Sequence, residues 1–270
     1  MLRLARYIPI RGSLIGLTLG VTAVGACSAQ QSEPTTGTQI GSTSLCADSY
    51  LIALAPERIG ALSWQAGSEL STADDAMAQH PRLWASREIL VGTNMALVTG
   101  PGDPSFGRED MLDLTWGEDF ETVRMNATVL SEQFGVDISN FESALASLSS
   151  LPRPDPQPRV LYLSRSGGSA GPGTFVDAVI TAAGGLNVNT TPGWHTPTIE
   201  HTLQFDPDLI VTSFFGSHYA GVSDRAVRHS ALRHYLADRP RVEIPGKLWP
   251  CAGPGLIEAT RQLNTAITAL

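Results

Sequence analysis

Residues 196–215 read TPTIEHTLQFDPDLIVTSFF, a short helix-like segment, a D-P-D stop and an apolar run ending in two aromatics. Thr196 can cap a helix whose first position is Pro197, since proline is tolerated at a first helical position. Ile199 and Leu203 would then point inward and Glu200 outward. Asp206-Pro207 ends the helix, and Leu209 to Thr212 is apolar throughout, the pattern of a strand covered on both faces of a parallel sheet. Ligands of open α/β sheets sit beyond the carboxyl ends of such strands. Here that end is Ser213-Phe214-Phe215-Gly216.

The same rhythm runs in both directions along the chain. Upstream, IGSTSL predicts a first strand, Ala47 to Ala55 a helix and RIGALSW (58–64) a second strand. SREILVGTNMALVTGPGD repeats helix, break, strand and turn. A further amphipathic segment closes at Val136, and ISNFESALASLSS (138–150) is helical, with Phe141, Leu145 and Leu148 on one face. Four prolines in LPRPDPQPR then mark a boundary. A second α/β series follows, from RVLYLSRS to the closing helix LIEATRQLNTAITAL. The expected fold is α/β, with two Rossmann-like lobes joined by a single long helix and a ligand cleft between them. The boundaries are 40–136 for the N-terminal lobe, 137–155 for the linking helix and proline-rich boundary, and 156–270 for the C-terminal lobe.

Ahead of the lobes, residues 1–26 carry Arg3, Arg6 and Arg11, an apolar middle and no acid, the layout of a secretory leader. Val24-Gly25-Ala26-Cys27 has the form of a lipoprotein cleavage box, which would make Cys27 the lipidated first residue. Ordinary cleavage nearby is the alternative. Residues 27–39 read as a flexible tether. The chain holds 18 basic and 26 acidic residues, formally −8, and without the leader it carries −11. That balance argues against nucleic acid as a partner and suits a monomer whose only membrane contact is its lipid anchor. In an oxidising compartment Cys46 and Cys251, left over as an even pair, would form a disulfide; two buried or ligand-facing thiols are the rival reading.

GPGTFVDAVITAAGGLNV (171–188), GWHTPTIEHTLQFDPDLIV (193–211) and LWPCAGPGLIEATRQL (248–263) together resemble the second lobe of the helical-backbone, or class III, substrate-binding proteins of ABC importers. That group carries iron-siderophore complexes, haem and cobalamin. The likeness covers about 110 residues in order and spacing. It implies an exported protein of the periplasm or cell envelope that binds a small-molecule ligand and delivers it to a permease/ATPase complex, with no catalysis and no cofactor of its own. It also implies one docking glutamate on each lobe, seven residues before the proline of a P-D pair. Glu200 stands seven before Pro207. In the first lobe Asn94-Met95 replaces P-D and the counted position is Arg87, so Glu88 beside it is the candidate.

Trp64, Trp194, Phe214, Tyr219 and Trp249 fall at strand ends or in the loops after them, where aromatics bury the flat area of a partly apolar ligand; packing of the lobe cores is the alternative. His218 lies beside them and joins the ligand-facing set. The loop GGSAGPG would add backbone N–H groups and the hydroxyls of Ser169 and Thr174. G-G-S-A-G at 167–171 also satisfies G-x-S-x-G, with Asp206, Asp208 and His218 downstream, so a secreted serine hydrolase using Ser169 is the rival function. Against it, Pro172 and Gly173 prolong the loop where a nucleophile elbow needs a helix. His195, Glu200 and His201 do not converge on a metal along one helix face. His195 reads as a surface histidine, with a cleft contact or a haem-iron ligand as alternatives.

Overall fold

The computed structural model describes residues 38–270 apart from 76, 85, 102–107, 109 and 214–227. The leader, the tether up to residue 37, Cys27, Phe214, His218 and Tyr219 therefore lie outside the described residues. The N-terminal lobe is built from β1 (Ile40–Ser42), α1 (Leu45–Leu54), β2 (Ile59–Ser63), β3 (Arg82–Leu83), α2 (Arg87–Gly92), β4 (Ala96–Thr99) and β5 (Met111–Asp113). Its five strands, in the order β3-β2-β1-β4-β5, are all parallel. The central strands β1 and β4 are buried at every residue, as strands covered on both faces are, and Ser42 and Thr99 are buried with their apolar neighbours.

Two helices in series then lead to the second lobe. In α3 (Phe120–Phe134) Asp119 caps the start by accepting from the Thr122 N–H, and Val123, Ala127 and Leu130 form a buried stripe at helical spacing. Gly135 ends it at φ 65°, a left-handed conformation that glycine adopts without steric cost. α4 (Ser139–Ala146) continues as one 3-10 turn to Ser150. The join is thus a helix of about three turns behind a glycine break, over nearly the residues expected (138–150), with the left-handed Gly135 separating it from α3.

The C-terminal lobe contains β6 (Arg159–Ser164), β7 (Ser169–Ala170), α5 (Phe175–Ala182), β8 (Leu186–Asn187), β9 (Trp194–His195), α6 (Ile199–Gln204), β10 (Leu209–Ser213), α7 (Ser230–Ala237), β11 (Arg241–Glu243) and α8 (Gly255–Thr268). Its main sheet, β11-β10-β6-β8, is again wholly parallel, while β7 and β9 form a separate antiparallel ribbon. The helix before β10 starts later than its sequence suggests. Thr198, not Thr196, caps it by accepting from the His201 N–H at 3.1 Å. This turns the inward face to Ile199 and Thr202, so Leu203 is 38% exposed. Among the described residues no helix is long and apolar enough to cross a membrane.

Each sheet carries a private apolar cluster on its outer face, around Leu90 and Leu97 in the first lobe and around Leu161 and Ile210 in the second. The inner faces share one cluster, which runs from Ile40 and Leu51 through Leu130 and Leu148 to Val160 and Leu263. A disulfide joins Cys46 on α1 to Cys251, with Cα atoms 5.3 Å apart and 205 residues between them in sequence. Beside it the buried Tyr50 hydroxyl donates to the Ala252 carbonyl at 3.4 Å. Gly117 lies against the same segment, where a Cβ would stand 2.4 Å from that of Ala252.

Candidate functional site

A cavity of about 410 Å³ lies between the lobes, lined from both sides by residues that follow strand ends. Leu45, after β1, and Trp116, after β5, come from the N-terminal lobe; Ser164, at the end of β6, and Trp249, after β11, come from the other. Its walls are aromatic. Trp194 meets Phe175 at 5.0 Å between ring centroids, and Tyr162 meets Trp249 at 5.6 Å and Trp194 at 6.2 Å, all in tilted or edge-on geometry. Trp249 is 3% exposed and Trp194 50%, so the first is a wall and the second a free face.

Local structure explains each placement. Trp194 sits in the ribbon opposite Ala170, and backbone bonds from the Gly171 N–H to the Gly193 carbonyl and from the Gly193 N–H to the Pro172 carbonyl close the ribbon behind it. Trp116 follows Thr115, whose N–H and C=O are both held by the Asn126 side chain on α3. Trp249 is followed by Cys251 and Ala252 at φ 60° and 48°, two non-glycine residues in the left-handed region, at a cost of roughly 1–2 kcal/mol each. The disulfide and Tyr50 brace that turn. Burial pushes the Tyr162 phenol up to about 12, which keeps it a hydrogen-bond donor across the physiological range.

A second cavity of about 280 Å³ adjoins the first through Tyr162, Ser164, Ser166 and Trp194, and adds His195 and Thr196. Among the described residues lining the two, none is Asp, Glu, Lys or Arg. The combined surface suits a ligand with a broad apolar face and uncharged polar edges.

The sequence-derived residues divide. Trp194 and Trp249 line the cavity. Trp64 stands at the end of β2 outside it, half exposed and stacked on Trp84 at 5.2 Å with planes 4° apart. Ser169 borders the smaller cavity, but its hydroxyl and that of Thr174 are engaged by protein partners. Ser169 is fully buried, donating to the Tyr162 carbonyl at 2.8 Å and accepting from Asn189 at 3.0 Å. Thr174 donates to the Gly171 carbonyl and caps α5. The supposed loop around Ser169 is strand β7, its hydroxyl is spent on holding that strand, and nothing supports the hydrolase reading. His195 is no surface histidine, for both its ring nitrogens are buried. The His201 ring lies on Phe205 at 5.0 Å. Among the described residues no group of three His, Cys, Asp or Glu could hold a metal ion.

Glu88 and Glu200 are both exposed, and each is the second residue of a short helix capped by a hydroxyl, from Ser86 and Thr198 respectively. Each helix leads into an inner strand, β4 or β10. The two residues occupy equivalent places in the two lobes. Sequence reasoning missed Trp84, Trp116, Tyr162 and Phe175. Trp116 carried the same strand-end signal as Trp64, but three-residue β5 did not announce itself; Tyr162 inside a strand and Phe175 at a helix start read as core.

No protein-family model matches the chain. A cobalamin-binding protein of Halobacterium salinarum is 45% identical over 80 residues, 28% of this chain and 22% of that protein, so the match spans about a fifth of the relative's length. Among solved structures, the periplasmic vitamin B12 binding protein BtuF of Vibrio cholerae aligns with a TM-score of 0.57 at 16% identity, covering 86% of this chain and 97% of that one. The haem complex of S. aureus IsdE aligns at 0.63 and 15% identity, over 85% and 98%. The chain has the two-lobed fold of these periplasmic binding proteins.

Proposed function

We propose that the chain is the exported solute-binding component of an ABC importer. It takes a metal-chelate or corrinoid-sized ligand between its lobes and presents it to a permease, without catalysis. The observation that carries this reading is the interlobe cavity walled by aromatics from both lobes and free, among the described lining residues, of charge. The names of the relatives, which include binding proteins for cobalamin, vitamin B12 and haem, support the ligand class. The exposed Trp64–Trp84 stack, at the carboxyl edge of the first sheet, would extend the apolar contact toward the mouth of the cleft. Titration of the purified protein with cyanocobalamin and with haemin, followed by tryptophan fluorescence, tests the reading. Saturable quenching by at least one is expected, weakened about tenfold or more by Trp194→Ala. Absence of binding to either, and of any chromophore in protein purified from its native host, would overturn it.

In the same reading Glu88 and Glu200 dock on cationic residues of the permease. Reversal of either to Arg should impair uptake in cells and leave ligand affinity within about threefold. A collapse of affinity would place that glutamate in the binding site instead. Cys27 would anchor the protein at the envelope by its lipid, and Cys27→Ser should release it to the soluble fraction.

A further inference from the structure

We propose that His195 is the polar anchor of the cleft, and that it pairs with the amide-bearing edge of an uncharged chelate. The inference rests on the function proposed above and names the class of ligand edge that the site reads. Both ring nitrogens of His195 are buried, and among the described residues no group hydrogen-bonds either one. Buried polar atoms are nearly always paired, so two orphans on one ring mark a side chain kept for something other than stability. Its backbone cannot drift to relieve them. His195 pairs with Ser169 across the ribbon, and the Ser169 hydroxyl is fixed between the Tyr162 carbonyl and Asn189.

The surroundings specify the partner. His195 borders the smaller cavity, together with Ser164 and Ser166, whose hydroxyl oxygens lie 2.9 Å apart, and beside the exposed Trp194. A neutral imidazole presents one donor and one acceptor, and the hydrogen-bonded Ser164–Ser166 pair, with Ser164 also accepting from the Gly168 N–H, retains one donor and spare acceptor capacity, which complements the C=O and NH₂ of primary amides. A carboxylate edge accepts only and calls for a fixed cation beside it, and among the described lining residues there is no Lys or Arg. As the ring lies its nitrogens are covered, so pairing through them requires the side chain to rotate on binding.

The test uses cyanocobalamin, whose macrocycle is fringed with amides, and haemin, fringed with carboxylates. Three proteins are compared: wild type, His195→Leu, which keeps volume and removes both polar atoms, and His195→Asn, which restores a donor and an acceptor. The Leu variant should melt at or above the wild-type temperature without ligand, yet bind cyanocobalamin about tenfold or more weakly; the Asn variant should recover to within about threefold. Haemin affinity should stay within about threefold across the three proteins. A Leu variant that binds cyanocobalamin within twofold of wild type overturns the anchor while leaving the solute-binding reading intact. So does one whose melting temperature and affinity fall together, since that is a structural role. Wild type that binds haemin alone overturns the amide-edge assignment, and wild type that binds neither overturns the parent reading and this one with it.

Discussion

Asp48 shows what a single buried carboxyl can contribute. It lies on α1 at 1% exposure and accepts from Ser63 twice, from the N–H at 2.8 Å and the hydroxyl at 2.5 Å. Burial raises the carboxyl above its ordinary 3.8, against the opposing pull of the Ser63 and Ser42 hydrogen bonds and of Arg82. The native chain therefore holds this proton more tightly than the unfolded one. The resulting stabilisation is complete below pH 3.8 and is lost as pH rises through the native value. Asp48→Asn, which stays uncharged, should flatten that part of the stability–pH curve in urea titrations; an unchanged slope would assign it to another group. Such roles are not legible in a sequence, which displays a side chain's chemistry but not its surroundings. Ser169 and Thr174 carried hydroxyls in a promising place, and only burial reveals that those hydroxyls serve the backbone. Trp194 and Trp249 were legible because their place at strand ends, rather than their surroundings, put them at the cleft.

At the level of elements, α3 positions the pocket without touching it. Asn126 accepts from the Thr115 N–H at 2.9 Å, donates to its carbonyl at 2.8 Å and donates to the Tyr50 hydroxyl at 3.2 Å. One amide thereby ties α3, α1 and the loop that carries Trp116. Asn126→Ala should lower stability by about 1–3 kcal/mol, since it leaves the buried partners unpaired, and should weaken ligand binding by loosening Trp116. Urea unfolding with fluorescence titration checks both, and unchanged binding would show that the loop holds itself. The long periodic elements, α3 and α8 and the apolar strands β6 and β10, were readable because their faces are uniformly buried. β3, β7, β8 and β9, two residues each, are too short for any period to register. The start of α6 was displaced because Thr196 and Thr198 are equally good caps and tertiary packing selects between them.

For the molecule as a whole, the continuous inner core sets the limits of motion. Lobes that share a cluster from Ile40 to Leu263 cannot separate widely without exposing it, so small-angle scattering should register less than about 2 Å change in radius of gyration on saturation with ligand, far below a hinge-type closure. The disulfide adds to this constraint. Cys46→Ser should cost up to about 5 kcal/mol in urea unfolding, the chain-entropy value for so long a loop, and non-reducing peptide mapping of the mature wild type should recover residues 46 and 251 in one linked fragment. Two alkylatable thiols in that sample would refute the pairing. The separation of 205 residues also fixes an order of events in time. Cys46 emerges early and has no partner until nearly the entire chain has followed it, so oxidation must be among the last steps of maturation. Until then the nascent protein carries an open thiol, available to exchange enzymes and to mispairing with other chains, and a nascent chain captured before residue 251 emerges should still be alkylated at Cys46.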